Sequence, residues 1–169
     1  MIFPALALAA VLQRNPLLVC GVAAEAERRG VDPVVACALV QHESNFRVRA
    51  RSATEDYGLM QIHAPLHGRY PDLRKHIAKG VDILRRELDR EHGDYRRALS
   101  RYNTGRVTRR GLEYAGRVLA IAGRLNRAMG RGRTWYSQRC STLLSPSDSW
   151  YSLECPAYAP RRRRARAAG

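Results

Sequence analysis

From Pro16 to Met129 the apolar residues of this 169-residue chain return at helical spacing in every segment but one. That single interruption, between Arg47 and Pro71, constrains the fold most. Helices with one apolar side must pack on one another around a common core. A stretch that loses the helical period and gains Gly, Pro, Ser and Thr has to lie at the surface, as irregular chain or a small hairpin. The expected architecture is therefore mainly α, a helical domain with one irregular wall, and binding residues concentrate in such walls.

The helical segments can be read one by one. Pro16 to Arg29 has Pro at its start, Leu17, Leu18, Val22 and Ala26 at helical steps, and Gly30 at the C-terminal cap. Asp32 is the N-cap of a second helix that begins at Pro33, buries Val34, Val35, Ala38 and Leu39, and runs to about Glu43. Leu73 to Glu91 carries Leu73, Ile77, Val81, Leu84 and Leu88 on one side, and Gly93 ends it. Tyr95 to Tyr102 is a short helix closed by Asn103-Thr104-Gly105. Leu112 to Met129 follows, with Leu112, Ala115, Leu119, Ala122 and Leu125 aligned. After Gly130 the composition turns to Gly, Arg, Ser and Pro, which divides the chain into an apolar N-terminal segment 1–15, a helical domain 16–130 and a basic tail 131–169.

The formal charge is +15, from 30 Lys and Arg against 15 Asp and Glu, and it predicts attraction to a polyanion: nucleic acid, anionic lipid or an anionic bacterial cell wall. The Arg161-Arg162-Arg163-Arg164-Ala165-Arg166 run supplies the non-enzyme alternative, a basic nucleic-acid-binding protein whose contact with nucleic acid is made through the tail. Residues 1–12 are apolar but lack the positive start of a standard signal peptide and are too short to span a bilayer. They read either as an atypical signal or as an N-terminal helix on the domain, with no transmembrane anchor elsewhere.

Cys20, Cys37, Cys140 and Cys155 lack the close spacing of zinc or redox motifs. A disulfide between Cys140 and Cys155 is expected if the protein is exported, with Cys20 and Cys37 as small buried hydrophobes. His63 and His67 are four apart and His42, His76 and His92 are also available. No His-Glu-x-x-His string accompanies them, and Pro65 interrupts a helix there, so neither a metal nor any other cofactor is expected.

The chemistry centres on Glu43. A carboxyl brought to the mouth of a cleft by a buried helix keeps its proton near neutral pH, because desolvation disfavours the charged form, and such a group serves as a general acid. Four strings then occur in order: Glu43-Ser44, Ala50-Arg51-Ser52, Gly58-Leu59-Met60-Gln61-Ile62 and Ala98-Leu99-Ser100-Arg101-Tyr102-Asn103-Thr104-Gly105. In order and spacing they resemble the soluble lytic transglycosylase domain of glycoside hydrolase family 23, over about Pro16 to Met129. Asp56-Tyr57-Gly58 with Tyr102-Asn103-Thr104-Gly105 looks most like the small enzymes of secretion systems, and some phage particles carry similar domains.

The resemblance implies a lysozyme-like fold with a glycan groove, and cleavage of peptidoglycan between N-acetylmuramic acid and N-acetylglucosamine with a 1,6-anhydro product. It implies Glu43 as acid and then base, and Tyr102 beside it as an orienting group. Met60, Gln61 and Asn103 would line the groove, with Ser44 and Ser52 as polar groups near the acid. It also implies peptidoglycan glycan strands as partner, with a secretion apparatus or a phage particle, and a place in the periplasm or cell envelope if exported, or otherwise in a phage particle.

One departure stands out. Where the common family pattern has Gly-Ala, this chain has Glu55 and Asp56 ahead of Gly58, so a second carboxylate follows Glu43 by thirteen positions. Glu43-Ser44-Asn45-Phe46 with Asp56-Tyr57-Gly58 and Gln61-Ile62 resembles animal-type lysozymes, in which the Asp assists a retaining hydrolysis. A retaining muramidase using Glu43 and Asp56 is therefore the alternative, and Asp56 as a turn-capping residue is the plain structural reading.

Overall fold

The computed structural model describes residues 15–128 and Cys140. Helix α1 (Pro16–Arg28) leads to α2 (Pro33–Ser44), then to a two-stranded hairpin, β1 (Asp56–Tyr57) and β2 (Ile62–His63). A single-turn α3 (Ala64–His67) follows, then α4 (Leu73–Arg90), α5 (Tyr95–Thr104) and α6 (Arg109–Ala128). The mainly α class expected from the helical period is what the chain adopts, with the small hairpin in the interrupted segment.

The helix starts follow from local chemistry. The Asp32 carboxylate accepts from the Val34 and Val35 amides at 2.7 and 3.3 Å, Asp72 from Lys75 at 2.8 Å and Asp94 from Arg97 at 3.1 Å, each satisfying amides that the first turn leaves without a helical partner. Gly30, at φ 65°, stops α1 in the left-handed conformation that a glycine adopts without strain, while the Val31 amide returns to the Ala26 carbonyl at 2.9 Å. Pro65 does not prevent helix at α3, because it lies in the first turn, where its missing N–H has no intrahelical role.

Helix α2 is the centre of the domain. Every residue from Val34 to Val40 is buried, not only the single face that the sequence pattern suggested. A helix apolar all round belongs inside a core. It packs on α1 and α6, while α5 packs on α4 and α6. Leu39 is fully buried, along with Leu59, Leu84, Leu88 and Leu99. Truncating such a leucine to Ala costs about 2–5 kcal/mol.

Cysteine pairing differs from the expectation. Cys20 on α1 is bonded to Cys140, 120 residues away, with Cα atoms 5.4 Å apart. The expected Cys140 to Cys155 bond is therefore replaced, since the buried Cys140 sulfur meets the α1 cysteine, and Cys155 lies outside the described residues. Cys37 is the small buried hydrophobe anticipated: its thiol faces the Val19 carbonyl at 3.8 Å, and burial followed by the Asp32 charge pushes it up to about 12. The apolar segment 1–14 and the basic run 161–166 also lie outside the described residues. Among the described residues no helix is long and apolar enough to cross a membrane.

Candidate active site

The carboxyl of Glu43 is delivered by the last turn of α2. Asn45 closes that helix in the left-handed region at φ 51°, its backbone amide returning to the Gln41 carbonyl at 3.1 Å and its Oδ1 accepting from Gln41 Nε2 at 2.6 Å. The chain then turns away with Phe46 at φ 58° and buried. Glu43 is thus left partly buried where helix gives way to loop.

Burial pushes the Glu43 carboxyl up to about 7, opposed by a hydrogen bond from Tyr114 and reinforced by the negative charge of Asp56. The Tyr114 hydroxyl donates to Glu43 Oε1. Tyr114 is itself buried, and His42 meets its ring edge-on with centroids 5.0 Å apart. Burial and then the Arg117 charge lower the His42 imidazole below its usual value.

Asp56 belongs to a different environment. The hairpin register sets Asp56 opposite His63 and Tyr57 opposite Ile62. That pairing explains why His63 Nδ1 lies 3.0 Å from Asp56 Oδ1. Ser52 Oγ and Thr54 Oγ1 donate to Oδ2 at 2.7 and 2.6 Å, and the Asp56 amide donates to Ser52 Oγ at 3.0 Å. Partial burial pushes the Asp56 carboxyl up, but the bonds from Thr54, Ser52 and His63 outweigh it and hold the group below its ordinary value. Glu43 and Asp56 are therefore driven apart in acidity, one raised to about 7 and the other held below its ordinary value, as in sites that divide two roles between two carboxyls.

Tyr102 lies within reach of the Glu43 charge, but the hydrogen bond to the acid comes from Tyr114. The Tyr102 hydroxyl donates instead to the Met60 carbonyl at 2.8 Å. Burial, followed by the charges of Glu43 and Asp56, raises its phenol well above the ordinary value. The Met60 side chain is fully buried, which leaves its backbone as the part that can reach the wall. The thioether reaches the position that a Cβ on Gly80 would occupy, so glycine is what lets α4 approach.

Ser44 is buried, with its hydroxyl donating to the Val40 carbonyl one turn back at 3.2 Å, which uses it up within the helix. Ser52 serves Asp56 and not Glu43. Gln61, at φ 45°, donates its side-chain amide to the Gly58 carbonyl at 2.9 Å and braces the turn. Asn103 is exposed near the end of α5.

Sequence reading missed Tyr114. The signal was present: Tyr114, Val118, Ala122 and Leu125 recur at helical steps on the buried side of α6, whereas Leu112 and Leu119 are only half-buried. A tyrosine on that side, facing the acid-bearing helix, has its hydroxyl in the interior and needs a partner.

A carboxyl raised to about 7 at the end of a buried helix, within range of the Asp56 charge on a small hairpin, sits in a helical lysozyme-like domain. Residues 22–118 match the model of the transglycosylase SLT domain, more than half of the chain, and the chain belongs to that family. Its function is accordingly peptidoglycan cleavage of the lytic transglycosylase type.

Proposed function

We propose that the domain cleaves the β-1,4 bond between N-acetylmuramic acid and N-acetylglucosamine with formation of a 1,6-anhydro ring. The observation that carries this reading is the Glu43 carboxyl, raised to about 7 and hydrogen-bonded by Tyr114, so that one group is available both as acid and as base around neutral pH. Glu43 gives its proton to the glycosidic oxygen as that bond breaks and positive charge develops on the muramic carbon. The resulting carboxylate then takes the proton of the sugar's C6 hydroxyl as its oxygen closes on C1. The proton count balances, and Glu43 ends protonated. Because the nucleophile is part of the substrate, its effective concentration is on the order of 10⁵ M or more, and no group need position a water.

Asp56 supports the reaction from a distance in this reading. Fixed and ionised, it raises the proton affinity of Glu43 and favours positive charge in the groove. The same charge is what favours a second reading, retaining hydrolysis with Asp56 at the sugar carbon. Against it, both Asp56 oxygens already have partners: Oδ1 with His63, Oδ2 with Ser52 and Thr54. Mass spectrometry of a digest of purified peptidoglycan decides between them. Anhydro-muramic ends are expected, and a digest with reducing ends alone would replace this reading with the hydrolytic one.

The substrate partner is the peptidoglycan glycan strand. The Cys20–Cys140 disulfide supports an oxidising compartment, the periplasm or cell envelope, and the +15 charge suits an anionic wall. Service to a secretion apparatus or a phage particle rests on the likeness of the Asp56-Tyr57-Gly58 and Tyr102-Asn103-Thr104-Gly105 strings alone.

A further inference from the structure

His76 is fully buried on α4, and nothing in the mechanism above uses it. Its Nε2 accepts the Met60 amide proton at 3.3 Å, which assigns the ring proton to Nδ1. Among the described residues Nδ1 has no hydrogen-bond partner. Burying an imidazole with one nitrogen unpartnered is unfavourable, and an apolar side chain would fill the same space without that penalty. The bond to Met60 is therefore what distinguishes a histidine here.

The Met60 peptide links three elements. Its amide is held by His76 from α4, and its carbonyl accepts from Tyr102 on α5 at 2.8 Å. The contact is close by construction. Gly58, at φ 73°, leaves the space in which a Cβ would come within 2.5 Å of the imidazole, and the Tyr57 ring leans on it with centroids 5.2 Å apart. Four residues beyond His76, Gly80 receives the Met60 side chain. Two positions one turn apart on α4 thus fix the turn that forms the hairpin wall, and Tyr102 ties that turn to the side of the site reached by the charge of Glu43.

We propose that His76 is a positioning residue for cleavage: its neutral imidazole sets the Met60 peptide, and through Tyr102 it sets the wall of the groove opposite Glu43. The inference rests on the proposed role of Glu43. It makes the wall dependent on the imidazole staying neutral, because a protonated Nε2 can no longer accept the Met60 amide. Burial lowers the His76 imidazole to about 4, and among the described residues the titratable group whose ring packs on it is the Tyr57 phenol.

The test uses the full-length protein, as wild type, His76→Gln and His76→Leu. A Gln oxygen can accept the Met60 amide; a Leu side chain cannot. Turnover of purified peptidoglycan is followed between pH 3.5 and 9, with the Met60 amide resonance recorded over the same range.

The expected result is an acid-side loss of wild-type activity with a midpoint near 4, matched by a shift of the Met60 amide. In His76→Gln, activity at pH 6 stays within about threefold and the acid limb disappears. In His76→Leu, kcat falls by about tenfold or more with a smaller change in KM. A Met60 amide that does not titrate in the active wild-type protein, or folded Gln and Leu variants with identical kcat and pH profiles, would overturn the inference. If the amide titrates as expected but Glu43→Gln leaves cleavage intact, the reading of Glu43 fails instead.

Discussion

Tyr114 and Glu43, 71 positions apart in sequence, share a hydrogen bond in which the phenol donates to the acid, and this bond opposes the burial that keeps the acid protonated. Helix α6 thus regulates the chemistry of helix α2. The hydroxyl stabilises the carboxylate, the form that Glu43 passes through after giving up its proton.

Tyr114→Phe should therefore slow the reaction and move its alkaline limb upward. Without the donor the Glu43 carboxyl titrates above its wild-type value of about 7, so the acid persists to higher pH while the carboxylate is less well held. Loss of a hydrogen bond to a charged group is worth about 1.5–3 kcal/mol, which corresponds to roughly a tenfold to hundredfold fall in kcat. A pH–rate profile on purified peptidoglycan measures both effects.

Asp56→Asn should shift the same limb in the opposite direction. Removing the negative charge that favours the protonated acid lowers the Glu43 value, so activity begins to fall at lower pH than in wild type. Most of the maximal rate should survive, within about tenfold, because the group is not a nucleophile in the transglycosylase reading. A loss of three orders of magnitude would assign it a direct part in bond cleavage.

Glu43→Gln should abolish release of soluble fragments and at the same time stabilise the fold. The Glu43 value rises from 4.5 to about 7 on folding, so the native state binds the proton more tightly than the unfolded chain. Its contribution is fully present below 4.5 and is lost as pH rises through 7, on the order of 3 kcal/mol in total. Gln cannot ionise and still accepts from Tyr114. Thermal melts should show the variant above wild type at pH 8, with little difference at pH 4.

Reduction should lower the melting temperature substantially. The Cys20–Cys140 bond closes a loop of 120 residues, and loss of such a bond costs about 2–5 kcal/mol. Cys140→Ser should reproduce the reduced melting temperature and be insensitive to further reductant.

The helices were legible because their signals are local. Asp32 caps α2, Gly30 closes α1, and Leu73, Ile77, Val81, Leu84 and Leu88 mark one side of α4, with ends within three residues of those observed. Glu43 and Asp56 could be singled out for the same reason, since each stands in a recognisable string. What the sequence hid was assigned by distant contacts. Whether Tyr102 or Tyr114 reaches Glu43, whether the Met60 side chain or only its carbonyl faces the wall, and which cysteine meets Cys140 all depend on how elements dock. The partner of Ser44 was hidden by a subtler effect: its hydroxyl turns back into its own helix, as a serine near a helix end is free to do.

Because α2 is enclosed from Val34 to Val40, the acid three residues further on is carried by the part of the molecule least able to move. Any accommodation of a long, stiff sugar strand must then come from the hairpin side, where the strands are two residues each and much of the chain faces solvent. The domain works as an anvil with one adjustable jaw. Amide exchange should find α2 the slowest element, and a bound glycan should slow exchange chiefly in residues 50–63.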